Sequence, residues 1–191
     1  MTQLQSASLL CGLLLAQAAA AQAPVVVGET TLVIGQAQII NANGKSIPVT
    51  RGSVIQVGDV IQTEIGGHVH LRFVDGGRVS VRPSSRLQVE NYTNSAQQPQ
   101  LSAIKFTLQE GVVRSITGSW GESARERFRL NTPLAAIGVK GTDFIVRANA
   151  DATAATVFSG AIAVAPLQGS CINTLGPCLN GSEKLLSEDM K

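Results

Sequence analysis

His68 and His70 are the two histidines of the chain, and their spacing comes closest to that of a metal site. They stand two residues apart in a segment of alternating character, and a β-strand would place both imidazoles on the same side. Two imidazoles on one face are a partial ligand set for a transition metal. No third ligand stands nearby in the sequence, and the pair lies on the polar, outward side. We therefore interpret both side chains as solvated, with no metal and no cofactor.

Other motifs that suggest chemistry are incomplete. Residues 138–142, Gly-Val-Lys-Gly-Thr, are superficially similar to a phosphate-binding loop. The G-x-x-x-x-G-K-[ST] spacing is absent and no helix follows, so we interpret the glycines as a tight bend. Residues 121–124, Gly-Glu-Ser-Ala, lack the glycine of a nucleophile elbow. The sequence predicts a protein that is not an enzyme.

Four aspartates stand in or beside predicted turns, where a carboxylate accepts hydrogen bonds from its own backbone. Nothing in the sequence selects two of them as a catalytic pair. They are Asp59, Asp75, Asp143 and Asp151.

Arginines recur at outward positions of successive short segments and could form a basic stripe across adjacent strands. One interpretation is a solvated sheet face, and the other is a binding surface for an anionic component of the cell envelope. The candidate binding face consists of Arg72, Arg78, Arg82 and Arg86.

The elements that must position these residues are short strands. Apolar and polar side chains alternate through most of residues 69–92, which is typical of half-buried β-strands. The Asp-Gly-Gly turn at 75–77 and the turn that begins at Pro83 divide this stretch into three strands. Strands at this spacing indicate an all-β fold of many short antiparallel strands and tight turns, solenoid-like or sandwich-like.

The rest of the chain repeats this rhythm. No helical period is evident between residues 25 and 165, and residues 118–126 are predicted to be a surface loop. Residues 136–139 and 144–146 are predicted to be two separate short strands. If Gly141 between them lies at a bend with positive φ, its replacement by Val should cost well over about 1 kcal/mol.

Composition excludes one class of partner. The net charge of +2 is too small for the clustered basic footprint of a nucleic-acid-binding protein, so we predict no nucleic acid partner. At 191 residues the chain has the length of one domain with a tail.

The amino terminus differs from the rest. An apolar run from Leu9 to Ala16 and the small residues after it predict a signal peptide over residues 1–21, cleaved after Ala21. The run is too short to span a bilayer, so we predict no stable membrane span. A retained anchor or a buried helix is the alternative. The interpretation we favour places the protein in the periplasm.

A β domain is predicted over residues 25–166, followed by a tail over 167–191. Cys171 and Cys178 remain after signal removal, and an even pair in an exported protein suggests a disulfide. A free pair or half of a metal site is the alternative. We expect the bridge to pin the tail without being required for the β domain to fold. Residues 182–188 are predicted to form a possible short helix.

Several segments between residues 50 and 165 together resemble the FecR domain of bacterial envelope signalling proteins. The most specific part is the run from Thr132 to Phe144. The segments are 57–63, 69–77, 82–87, 106–114, 130–144 and 159–164. The structural signature residues within them are Gly58, Asp59, Asp75, Gly76, Pro83, Pro133, Gly138, Gly141 and Thr142.

The resemblance implies a periplasmic all-β domain with no catalytic residues. The sequence shows no cytoplasmic anti-sigma segment and no transmembrane helix, so control of a sigma factor is not carried over. We expect an interaction or signalling module that contacts another envelope protein. The alternative is an envelope structural protein, or one that binds cell-wall glycan through the arginine-rich sheet face.

Overall fold

The fold is all-β, as the sequence predicts. The computed structural model describes residues 25–95, 97–98, 101–123, 125–172, 174–178, 181 and 183–188. The strands are β1 (Val26–Ile34), β2 (Ala37–Ile40), β3 (Ser46–Pro48), β4 (Val54–Gln56), β5 (Val60–Thr63), β6 (His68–Phe73), β7 (Arg78–Val81), β8 (Arg86–Thr93), β9 (Ala103–Ile116), β10 (Phe128–Asn131), β11 (Ala135–Ala148), β12 (Thr153–Pro166) and β13 (Lys184–Ser187). The helix α1 (Ser119–Ser123) and the 3-10 turns Arg125–Arg127 and Gly169–Ile172 interrupt the strands.

These strands belong to one sheet, which three long strands divide into two halves. Half A is formed by β3, β2, β5, β8, the first part of β9, β10, the first part of β11, the second part of β12 and β13. Half B is formed by β4, β1, β6, β7 and the remaining parts of β9, β11 and β12. All strand pairs are antiparallel except β9 with β10. The long strands β9, β11 and β12 therefore belong to both halves.

Each long strand carries a glycine with positive φ near the crossing point. The φ values are 95° at Gly111, 61° at Gly141 and 77° at Gly160. Only glycine adopts this conformation at low cost, so each strand bends without ending. This explains why β11 is one strand from Ala135 to Ala148, and the prediction of two short strands with a break between them is wrong.

The two halves face each other across one hydrophobic core. Phe73 of β6 stacks on Tyr92 of β8 with ring centroids 4.4 Å apart, although these strands are not hydrogen-bonded neighbours. Phe106 of β9 contacts both rings edge-on or tilted. Burial of each such side chain stabilises the fold by about 1.5–3 kcal/mol. The sandwich-like form of the predicted all-β fold thus follows from the packing.

The tail crosses the outer surface of half A. Arg129 of β10 is fully buried, and its guanidinium donates to the carbonyl oxygens of Gly176 (2.6 Å) and Cys171 (3.2 Å). Gly138 leaves room for the tail, because a Cβ there would lie 2.7 Å from a Pro177 side-chain carbon. Strand β13 then pairs with β12 at the edge of the sheet. The predicted disulfide between Cys171 and Cys178 is present.

Two expectations for local structure are wrong. Lys184–Ser187 is a strand and not part of a helix, because the free edge of β12 supplies its hydrogen bonds and Leu186 packs on the core. The predicted surface loop at 118–126 contains α1 and a 3-10 turn. Trp120 anchors this segment, with its ring 5.7 Å from that of Tyr92.

Replacing both Cys171 and Cys178 by Ser should loosen the tail and leave the β domain folded. Opening a loop with a sequence separation of 7 should cost roughly 2–3 kcal/mol in loop-closure entropy. Hydrogen exchange of the variant should be faster in residues 167–178 and unchanged in β6 and β7. Exchange that speeds up equally in all strands would contradict this expectation.

Candidate functional site: an arginine face

The outward surface of half B carries a group of arginines that we call the arginine face. Its members are the outward residues His68, His70, Arg72, Arg78, Arg82, Arg114 and Arg147. They come from β6, from β7 and the residue just after it, and from the second parts of β9 and β11. Side chains directly opposite on paired strands lie about 4.5–5.5 Å apart at Cβ, so these groups form one continuous surface.

The strand register sets the order of the groups on this face. Arg72 pairs with Arg78, and His70 pairs with Ser80, which in turn pairs with Arg114. Arg147 lies opposite Val112. Their neighbours along each strand point into the core, where Leu71, Val79, Val81, Val113 and Val146 are buried.

Acidic side chains neutralise only part of this charge. Arg72 binds Glu29 at 2.5 Å, and Arg114 binds both oxygens of Asp143 at 2.5 and 2.8 Å. Asp143 is therefore an ion-pair partner within β11, and its expected role as a turn cap is wrong. Within the described part of the chain, Arg78, Arg82 and Arg147 take part in no salt bridge. The face therefore retains positive charge.

Apolar side chains lie between the arginines. Val112, Ile116 and Ile145 are half-buried on the outward side, and Ile34 is 52% exposed at the margin. The Arg114 guanidinium also lies 5.2 Å from the centre of the Phe158 ring. Arginine and partly exposed apolar side chains therefore lie side by side on this face.

The histidine pair lies at one end of the face. The Nε2 atoms of His68 and His70 are 3.1 Å apart. Burial, the neighbouring imidazole and Arg82 lower the pKa of His68 below its ordinary value. Burial and Arg82 have the same effect on the pKa of His70. Both imidazoles therefore favour the neutral form.

This arrangement predicts a loss of stability on acidification. Because the folded-state pKa values lie below the ordinary value of 6.5, the unfolded chain binds more protons as pH falls. The contribution is fully present above about pH 6.5 and is lost as pH falls through the folded-state values. Urea denaturation across about pH 5 to 8 should show this slope. In the control variant with His68→Gln and His70→Gln the slope should be shallower, and an unchanged slope would contradict the prediction.

Arg86 does not lie on the arginine face. It begins β8 in half A, where its guanidinium donates to the side chains of Gln109 (2.6 Å) and Gln62. The turn that contains Pro83 and Ser84, whose φ is 53°, leads the chain from half B to half A between the two strands. Arg114 and Arg147, which the predicted face did not include, take its place. Both sit at outward positions of alternating segments, a signal that the sequence already contained.

The signature residues serve the fold. Asp75 accepts hydrogen bonds from the backbone of Gly77 (2.9 Å) and Trp120 (3.2 Å) and from the Tyr92 hydroxyl (2.5 Å). Asp59 is buried and accepts from the backbone of Gln56, and burial raises its pKa.

The remaining signature positions are turns and contacts. Gly58 and Gly76 have positive φ in turns, and Pro83 and Pro133 stand exposed in turns. Thr142 is buried with its hydroxyl 3.2 Å from that of Thr117. The side chains of Asp59 and Asp75 are thus occupied by backbone and tyrosine donors.

Two kinds of feature are absent from the described residues. No group of three or more His, Cys, Asp or Glu side chains is placed to hold a metal ion. No helix among the described ranges has the length and apolar character needed to cross a membrane.

The protein is thus an all-β domain whose half B carries an arginine-rich outward surface. The sequence matches the FecR protein family over residues 59–163, more than half of the chain. The chain therefore belongs to the FecR protein family, which confirms the resemblance seen in its motifs.

Comparisons with individual proteins add distant likenesses. Two crystal structures of a protein provisionally described as an anti-sigma factor from Parabacteroides distasonis are 17% and 18% identical, with TM-scores of 0.46 and 0.45. Each match covers 67% of this chain and 50% of that one, so it spans half the length of those proteins. A cell surface anchoring domain is 27% identical over 32% of this chain and 82% of its own, with a TM-score of 0.32. No curated protein matches.

Proposed function

We propose that this protein is a non-enzymatic periplasmic module that contacts another cell-envelope protein through the arginine face. The observation that carries the proposal is the composition of that face, which holds five arginines and no lysine among apolar side chains. Protein interfaces are enriched in arginine and depleted in lysine.

The charges indicate what the partner presents. Arg78, Arg82 and Arg147 are available for new ion pairs, since none forms a salt bridge within the described ranges. Planar guanidinium groups bind carboxylates through two parallel hydrogen bonds. The partner surface should therefore combine carboxylates with apolar side chains. Membership in the FecR family and the disulfide support an exported protein of the envelope.

Charge reversal tests this proposal. A variant with Arg78→Glu, Arg82→Glu and Arg147→Glu should melt near the native temperature and fail to capture the partner from envelope extract. The matched control has Lys45→Glu, Arg51→Glu and Lys184→Glu, which changes net charge equally at exposed residues that are not members of the arginine face. Capture by the control should be retained. Equal loss in both variants, or no captured protein with the native chain, would contradict the proposal.

Cell-wall glycan is the competing ligand, and the same variants distinguish it. Co-sedimentation of the native protein with purified peptidoglycan, lost in the arginine variant only, would replace a protein partner with a glycan. Substitution of Arg86 should have no effect in either assay, because Arg86 lies in half A. The sequence pattern had grouped this residue with the arginines of the face.

A further inference from the structure

The two imidazole rings of the histidine pair approach each other closely, which the sequence alone does not predict. The two Nε2 atoms are 3.1 Å apart and both rings are half-buried beside β1 and β7. Imidazole nitrogens bind zinc at about 2.0–2.1 Å, so two of them lie about 3.3 Å apart on a tetrahedral ion and about 2.9 Å apart at right angles. The observed separation falls between these values.

The strand geometry of the pair is suited to ligation. The strand holds the rings on one face, because residues two apart point the same way. The rings form a hydrogen bond between their Nε2 atoms, so an ion that binds both atoms replaces this hydrogen bond and the donor ring moves its proton to Nδ1.

The surroundings limit the strength of such a site. The neighbours across the strands are Leu32 and Ile34 on one side and Ser80 and Arg82 on the other. None of these carries a carboxylate, so water or a partner's side chain must complete the coordination. The positive charge of Arg82 disfavours the binding of a metal cation by the histidine pair. A site of this kind is open and exchangeable and does not resemble a closed structural zinc site.

We propose that His68 and His70 form a two-imidazole site for a divalent transition metal ion on the arginine face. The ion class is that which prefers imidazole, with Cu²⁺ bound more tightly than Zn²⁺ and Mg²⁺ not bound. A metal there adds positive charge to the face and leaves coordination positions open toward solvent. The proposal does not depend on the identity of the protein partner.

The test is a titration of the untagged protein with Zn²⁺, followed by calorimetry and by the imidazole signals in NMR spectra. These two residues are the chain's full set of histidines, so every imidazole signal reports on the site. We expect one ion per chain and a shift of both imidazoles. His68→Gln and His70→Gln should each weaken binding at least about tenfold, since each removes one of two protein ligands. Mg²⁺ should give no signal.

Arg82→Gln is the informative companion variant. Removing a positive charge one strand away should tighten Zn²⁺ binding roughly threefold at moderate ionic strength. The proposal is overturned if the native protein binds no Zn²⁺ or if the double histidine variant binds it unchanged. An Arg82→Gln variant with native affinity would place the ion elsewhere and also overturn it.

Discussion

Replacing Gly160 by Ala should destabilise the protein by about 4 kcal/mol or more. Gly160 has a φ of 77°, and a Cβ there would lie 2.0 Å from the carbonyl oxygen of Gly141. The backbone oxygen cannot move aside as a flexible side chain could. The variant therefore combines conformational strain with a clash between two long strands at their bends. Chemical denaturation with circular dichroism measures the loss.

Gly141→Ala is the matched control. Gly141 has a similar φ of 61°, but its nearest atom to an added Cβ is a side-chain nitrogen of Arg125 at 3.9 Å. Only the conformational strain remains, and the expected cost is about 1–2 kcal/mol. Val in place of Ala should cost more, since a β-branched residue at positive φ is an outlier. If Gly160→Ala cost no more than Gly141→Ala, the close approach of β11 and β12 would be contradicted.

The second large effect is expected at Arg129. Arg129→Met should cost about 3 kcal/mol or more, because Met fills the space but donates to neither the Gly176 nor the Cys171 carbonyl. Both acceptor residues are buried. The tail should detach from the outer surface of half A as a result. Denaturation measures the stability, and hydrogen exchange in residues 167–178 measures the detachment.

Arg147→Met controls for the loss of an arginine as such. Arg147 is exposed on the arginine face, so this change should alter stability by about 0.5 kcal/mol or less. Equal costs at Arg129 and Arg147 would show that the buried guanidinium does not hold the tail.

The alternating pattern predicted the strands of residues 69–92 well, because a period of two follows directly from backbone geometry. It did not predict which half a strand joins. Arg82 and Arg86 both point outward, yet one end of the Pro83 turn belongs to half B and the other to half A. Sequence periodicity reports the direction of a side chain and carries no information on the neighbouring strand.

The role of Arg129 was missed for a related reason. Alternation places it on the outward side of β10, as for any solvated arginine, and only the returning tail buries it. The strand at Lys184–Ser187 likewise depends on a partner edge that is about twenty residues away in the sequence. The disulfide was predictable because Cys171 and Cys178 are the two cysteines outside the predicted signal peptide.

The sharing of β9, β11 and β12 between the two halves has a thermodynamic consequence. Because the long strands form hydrogen bonds in both halves, neither half can unfold while the other keeps its hydrogen bonds. Such a sheet should unfold in one cooperative transition. A ligand that binds the arginine face of the folded state alone then raises the free energy of unfolding of the whole sheet, because it shifts the equilibrium between the folded and unfolded states. Occupancy on one surface would in this way protect the opposite half from opening, with no change of shape.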